Sequence, residues 1–274
     1  MRVYQYIKPE VFFNAFTRDG FWVKASHPEA FNDLFECTGG VYGTPTEEFV
    51  KEFWEQRPDL CSMAMWNGKG AAEYVGEWLW RAFYDRKFLG QGHRISCFVK
   101  SRAVDEDVGA DARMWSHYAD CARGLRLCFE TDGLPYEFEK VNYEYIAPKL
   151  NLKDVPNIAA LKGFIEECIH TKQKSWSQEN EVRVVFRGPN DDVKWHEDLK
   201  MYRWMMPYAN IREIVIGEQA YKDHARREEI RGHLIKHCGG RMADLKIRTM
   251  KRSFNTYGYS YSDVSIIPSL ESNE

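Results

Sequence analysis

The chain has no long apolar run: nowhere in its 274 residues do consecutive positions approach the roughly 18 that a membrane-spanning helix needs, so no membrane partner is expected. Its first residues, MRVYQYIKPEVFF, lack the apolar core of a secretory leader. The seven cysteines (37, 61, 97, 121, 128, 168 and 238) are odd in number and nowhere spaced C-x-x-C. That argues against both a disulfide framework and a zinc site. A Gly-rich phosphate loop, a G-x-S-x-G elbow, an H-E-x-x-H helix and an EF-hand loop are all missing, as are internal repeats and Gly/Ser linkers. These absences predict a reduced, soluble, cytoplasmic protein with no bound metal.

What is present is aromatic and charged. Aromatics make up 15% of the chain, with nine Trp and fifteen Tyr, more than a core usually needs and suited to lining a pocket where a flat ligand stacks. The net charge is −3, which excludes a broadly basic nucleic-acid binder. Charge is uneven, however: positions 221–252 carry ten Lys/Arg against four Asp/Glu. That stretch is either a solvated helix face or a surface for phosphates.

Periodicity predicts strands over 2–7, 20–25, 93–100, 124–130, 141–146, 181–186, 211–217 and 244–250, and helices over about 71–88, 157–173 and 221–237. In TPTEEFVKEFWEQ, Thr44 reads as N-cap, Pro45 as the first helical residue and Glu47 as capping-box partner. Strands and helices mix without βαβ alternation, so the fold class expected is α+β with mainly antiparallel sheets. One domain is expected over 1–252, with a loosely held Tyr/Ser/Asn-rich tail at 253–274.

Three clusters carry candidate chemistry. In AFNDLFE (30–36), Asn32 and Asp33 are turn formers that either cap nearby N–H groups or orient a ligand hydroxyl. In MWSHYAD (114–120), Trp115, His117 and Tyr118 belong either to a helix packed in the core or to the wall of a pocket. In SWSQENEVRVVF (175–186), Val182, Val184 and Phe186 alternate with Glu181 and Arg183, and Glu179 continues the charged row. Two carboxylates two residues apart on one strand face repel, so they need a cation to stay ionised. Arg183 and Lys174 are the cations at hand. Such a pair is either a charged edge or a device for stabilising an oxocarbenium-like transition state, as in glycosidic cleavage. NAD is a substrate of that kind, because losing nicotinamide leaves a ribosyl cation.

Taken in order, FNDLFE, ISCF, MWSHYAD followed two residues on by RG, and W-x-x-E-x-E-V-R resemble the bacterial family known as domain of unknown function 2971, over roughly residues 4–217. Its blocks are in turn similar to an ADP-ribosyltransferase layout of first strand, Ser-bearing middle strand and late E-x-E strand. That resemblance implies Glu181 as the catalytic carboxylate, Glu179 as the one that positions the acceptor, Ser96 near the NAD ribose and Tyr6 near the adenosine. Trp22, Trp115 and Tyr118 would stack on nicotinamide or adenine, and Arg183 would hold a phosphate or steady the glutamates. NAD would be consumed as substrate, and ADP-ribose passed to a protein or nucleic acid, the latter through 221–252. A toxin or phage-defence role, with an antitoxin or inhibitor as partner, follows from the resemblance alone. The other readings are a non-catalytic nucleotide-binding module and a metal-dependent nuclease built on Asp33, His117 and the glutamates.

Overall fold

A computed structural model describes residues 1–31, 33, 35–60, 70–86, 92–100, 110–188, 190–239, 241, 245–253 and 259–264. In chain order its strands are β1 (Arg2–Ile7), β2 (Gly20–Ala25), β3 (Gly40–Tyr42), β4 (His93–Lys100), β5 (Leu125–Glu130), β6 (Glu139–Lys140), β7 (Asn142–Glu144), β8 (Lys149–Asn151), β9 (Thr171–Gln173), β10 (Glu181–Arg187), β11 (Lys194–His196), β12 (Met201–Pro207), β13 (Ile211–Ile216), β14 (Lys246–Arg252) and β15 (Tyr259–Asp263). The helices are α1 (Pro9–Ala15), α2 (Glu47–Gln56), α3 (Ala71–Tyr84), α4 (Ala110–His117), α5 (Ile158–His170), α6 (Glu218–Lys222) and α7 (His224–Cys238).

Eight strands form one sheet in the order β15-β14-β13-β5-β1-β4-β10-β6, antiparallel except at β13-β14. A second antiparallel sheet, β11-β12-β2, lies across the first. The fold is therefore α+β and mainly antiparallel, as the irregular order of elements predicted. The main core fills the space between these sheets. Val182, Val184 and Phe186 of β10 belong to one buried cluster with Val23 of β2, Trp204 and Met206 of β12 and Leu234 of α7, and the Phe186 and Trp204 rings lie 5.7 Å apart. Each such side chain contributes about 1.5–3 kcal/mol by leaving water. A separate core joins α2, α3 and α5 through Phe49, Phe53, Leu79, Phe83 and Phe164.

Several boundaries move for identifiable reasons. The N-cap of α2 is Thr46, not Thr44: its hydroxyl accepts the N–H of Phe49 at 3.2 Å, so the helix starts at Glu47. The predicted helix over 221–237 is two helices, because Asp223 is extended and caps α7 through Arg226 N–H. In the tail, Tyr259–Asp263 is paired to β14 from Arg252 to Arg248.

The block MWSHYADCARG has a backbone explanation. After α4 the chain turns through Asp120, Cys121 and Ala122, all left-handed with φ 48, 51 and 65°. It then passes so close to β1 that a Cβ on Gly124 would sit 2.0 Å from the carbonyl oxygen of Ile7. Only glycine fits there.

Candidate functional site: a buried ion network on one face of the large sheet

Strands β1, β4 and β10 are neighbours, and their register sets what shares a face. Tyr4 stands opposite Val99, and Val99 opposite Glu181; Cys97 stands opposite Arg183. Glu181 and Arg183 therefore point away from the main core. They are not at the surface: Glu181 is 5% exposed and Arg183 0%. The half-buried strand predicted from alternation is buried on both faces, because the turn 35–38, the end of α5 and the turn before β10 cover the charged one.

Glu179 is not on the strand. It ends a 3-10 turn (Lys174–Glu179), and Asn180 then takes a left-handed conformation, φ 47°. The Asn180 side chain donates to the Lys100 carbonyl oxygen at 2.9 Å, which fixes that kink against β4. The two carboxylates still converge, through a residue that sequence reasoning missed. Lys172 Nζ donates to Glu179 at 2.7 Å and to Glu181 at 3.0 Å, and lies 3.6 Å from Glu36. Arg183 donates through Nε to Glu181 at 2.6 Å, and through its terminal nitrogens to Glu36 and to the carbonyl oxygen of Ile169. At the outer end, the Tyr118 hydroxyl donates to Glu179 at 2.7 Å.

Three carboxylates thus face two cations. Burial pushes Glu181 up, but Arg183 and Lys172 overcome it and hold the carboxyl at about 2. Burial raises Glu36 above its ordinary value, with Arg183 only partly opposing it. Burial lowers Lys172, yet Glu181, Glu36 and Glu179 outweigh it and the ammonium is held well above its ordinary value. Burial also pushes the thiol of Cys37 up to about 12 and raises that of Cys97, so neither supplies a thiolate nucleophile at neutral pH.

The aromatic residues divide. Tyr118, at 38% exposure, and the partly buried Trp176 stand at the Glu179 end, with Lys172 Nζ 5.2 Å from the Trp176 ring centre and His117 6.4 Å from the same ring. Trp115 is 1% exposed and meets Tyr6 edge to face at 5.3 Å, so both are packed against each other rather than open for stacking. Ser96 is on the opposite face of the sheet from Glu181: it donates to the Lys24 carbonyl oxygen at 2.7 Å and accepts from Trp204 Nε1 at 2.9 Å. The period-2 pleat puts Cys97, not Ser96, beside Arg183. Trp22 lies on the second sheet, against His196. Asp33 caps its own turn through Phe35 N–H at 2.9 Å, with Arg86 binding the turn's carbonyls. Asn32 lies outside the described residues.

Glu36, Cys97 and Glu181 bring donor atoms within 4.8 Å of one another. That set does not fit a divalent cation, since Arg183 and Lys172 already neutralise the carboxylates and the thiol is held neutral. Asp33 is taken up by Phe35 N–H and His117 faces the Trp176 ring, so among the described residues neither adds a ligand to the set. In the basic stretch, Lys222 and Arg252 pair with Glu218, Arg226 with Glu229, Arg231 with Glu228 and Arg248 with Glu213. Arg227 also pairs with Glu228 and Lys246 with Asp263, so seven of its ten cations are already engaged with carboxylates. No described helix is long and apolar enough to cross a membrane. No protein-family model, no curated protein and no solved structure matches the chain.

Proposed function

We propose that the chain is an enzyme of the ADP-ribosyltransferase type, cleaving the nicotinamide–ribose bond of NAD beside Glu179 and Glu181. The reading rests on one observation. The first strand, the middle strand and the E-x-E strand are side by side as β1-β4-β10, with both glutamates converging on Lys172 at the face that Tyr4 and Tyr6 share. In this scheme the C–N bond breaks with its electron pair leaving on nicotinamide, and an ionised carboxylate stabilises the ribosyl cation. The acceptor's lone pair then attacks the same carbon, and Glu179, at the end of the network where the half-exposed Tyr118 stands, takes the acceptor's proton. Ser96 has no part in it, given the face it occupies. The acceptor is a macromolecule, and the family resemblance is the support for a toxin or defence role.

A binding-module reading has its own support: Glu181 is 5% exposed, and both its oxygens accept from Arg183 and Lys172. Nicotinamide release from NAD separates the two, measured for wild type and Glu181→Gln in chelator with protein, RNA and DNA acceptors. Release by wild type that the variant loses supports the enzyme. NAD binding without release supports the module.

A further inference from the structure

The outer face of the second sheet carries a row of like charge. Lys194 of β11 stands opposite Arg203 of β12, and Arg203 opposite Lys24 of β2. Neighbouring strands are about 4.8 Å apart, so three cations span about 10 Å, an arrangement that costs stability unless an anion sits on it. Among the described residues no carboxylate pairs with any of the three. The nearby acids are turned elsewhere: Asp192 accepts from Tyr136, and Glu197 from Trp195 and Lys200.

Arg203 is the centre of the row. It is 3% exposed, its Nη1 reaches only the Asn14 carbonyl oxygen at 3.2 Å, and its Nε is buried with no partner. Burial with no compensating carboxylate lowers its pKa from the usual arginine value. Two rings share its face of the sheet. Trp22 and His196 sit on opposite diagonals of Arg203 in the register, and their rings meet at 4.7 Å, edge to face. Lys24 and Lys194, on either side of Arg203, are exposed.

We propose that this face binds phosphate groups of a nucleotide unit, with Lys24, Arg203 and Lys194 taking the phosphates and the Trp22 ring turning to stack on the base. Cations tracking phosphates beside an aromatic platform are what such recognition uses. The site is independent of the carboxylate network, which lies on the far face of the large sheet. It also replaces the paired 221–252 stretch as the surface for a nucleic acid.

The test uses the full chain, wild type and Lys24→Glu/Lys194→Glu, with a short fluorescein-labelled oligothymidylate read by anisotropy at low and raised salt, and with ATP and inorganic pyrophosphate as direct ligands and competitors. Both substitutions are on exposed side chains, and a melting temperature no lower than that of wild type confirms the fold. Binding of any of the three probes that the double variant weakens about tenfold or more supports the site. Oligothymidylate binding then identifies a polynucleotide, and binding of ATP or pyrophosphate alone identifies a free phosphate ligand. A second variant, Trp22→Ala, is expected to weaken oligothymidylate and ATP but leave pyrophosphate unchanged. Failure of wild type to bind any probe at low salt, or equal binding by the double variant, overturns the proposal.

Discussion

The two charged regions of this protein handle the same problem in opposite ways. On the large sheet, Glu36, Glu179, Glu181, Lys172 and Arg183 are almost completely buried and every charge has a partner. On the outer face of the small sheet, Lys24, Arg203 and Lys194 line up with none among the described residues. Removing one partner from a paired buried group strands another charge, whereas neutralising one member of an unpaired row relieves repulsion. The first region is therefore tied to the fold, and the second has charge to spare for a ligand.

The largest effect expected is from Arg183→Met, which strands Glu181 and Glu36 in the interior. It should cost about 3–5 kcal/mol, read by urea unfolding; a loss below about 1 kcal/mol would break the comparison. Glu181→Gln comes next. Its folded carboxyl lies at about 2 against an ordinary 4.5, so ionisation contributes on the order of 3 kcal/mol at neutral pH. Because the folded value is depressed, that stabilisation is complete above about 4.5 and disappears as pH falls through about 2. The wild-type acid-unfolding profile should show this loss, and Glu181→Gln should flatten it.

Glu36 has the opposite sign. Its folded value is raised, so its contribution is complete below the ordinary value and is lost as pH rises through the raised one. Glu36→Gln at pH 8 should then cost less than about 1 kcal/mol, sharply less than Glu181→Gln, as differential unfolding would show. The smallest effect is on the small sheet: Lys24→Glu alone should raise stability by a few tenths of a kcal/mol by giving Arg203 an opposite charge across the strands. A clear destabilisation there would mean that the row is already satisfied.

Much of this was legible in the sequence, to different depths. The alternation of Val182, Val184 and Phe186 located β10 and its core face, because period 2 is a local property. The same alternation put Glu179 and Glu181 on one strand face with Arg183 and Lys174 as cations, whereas Glu179 lies off the strand and the two meet at Lys172. Asn180 breaks the strand between them, and Lys172, the middle residue of β9, gathers them. Lys172 has no local signal, since nothing in the polar run HTKQK distinguishes a buried lysine from a solvated one; only the packing of β9 beside β7 does. Ser96 failed for the complementary reason. Its strand was correctly placed, but one step of register decides which face a residue occupies, and that step put Cys97 with the glutamates. The row across β11, β12 and β2 was invisible, since pairing brings Lys24 within one strand spacing of Arg203 from almost two hundred positions away.

The most direct test of the account is Glu179→Gln, which removes charge at the solvent-facing end of the network while leaving Arg183 and Glu181 paired. NAD affinity, nicotinamide release and melting temperature should be measured on the same preparation beside wild type. The account predicts a folded variant with a lowered melting temperature and NAD binding close to wild type, with acceptor-dependent release reduced at least a hundredfold. Equal release by the two proteins, or no release by folded wild type with any acceptor, would contradict it.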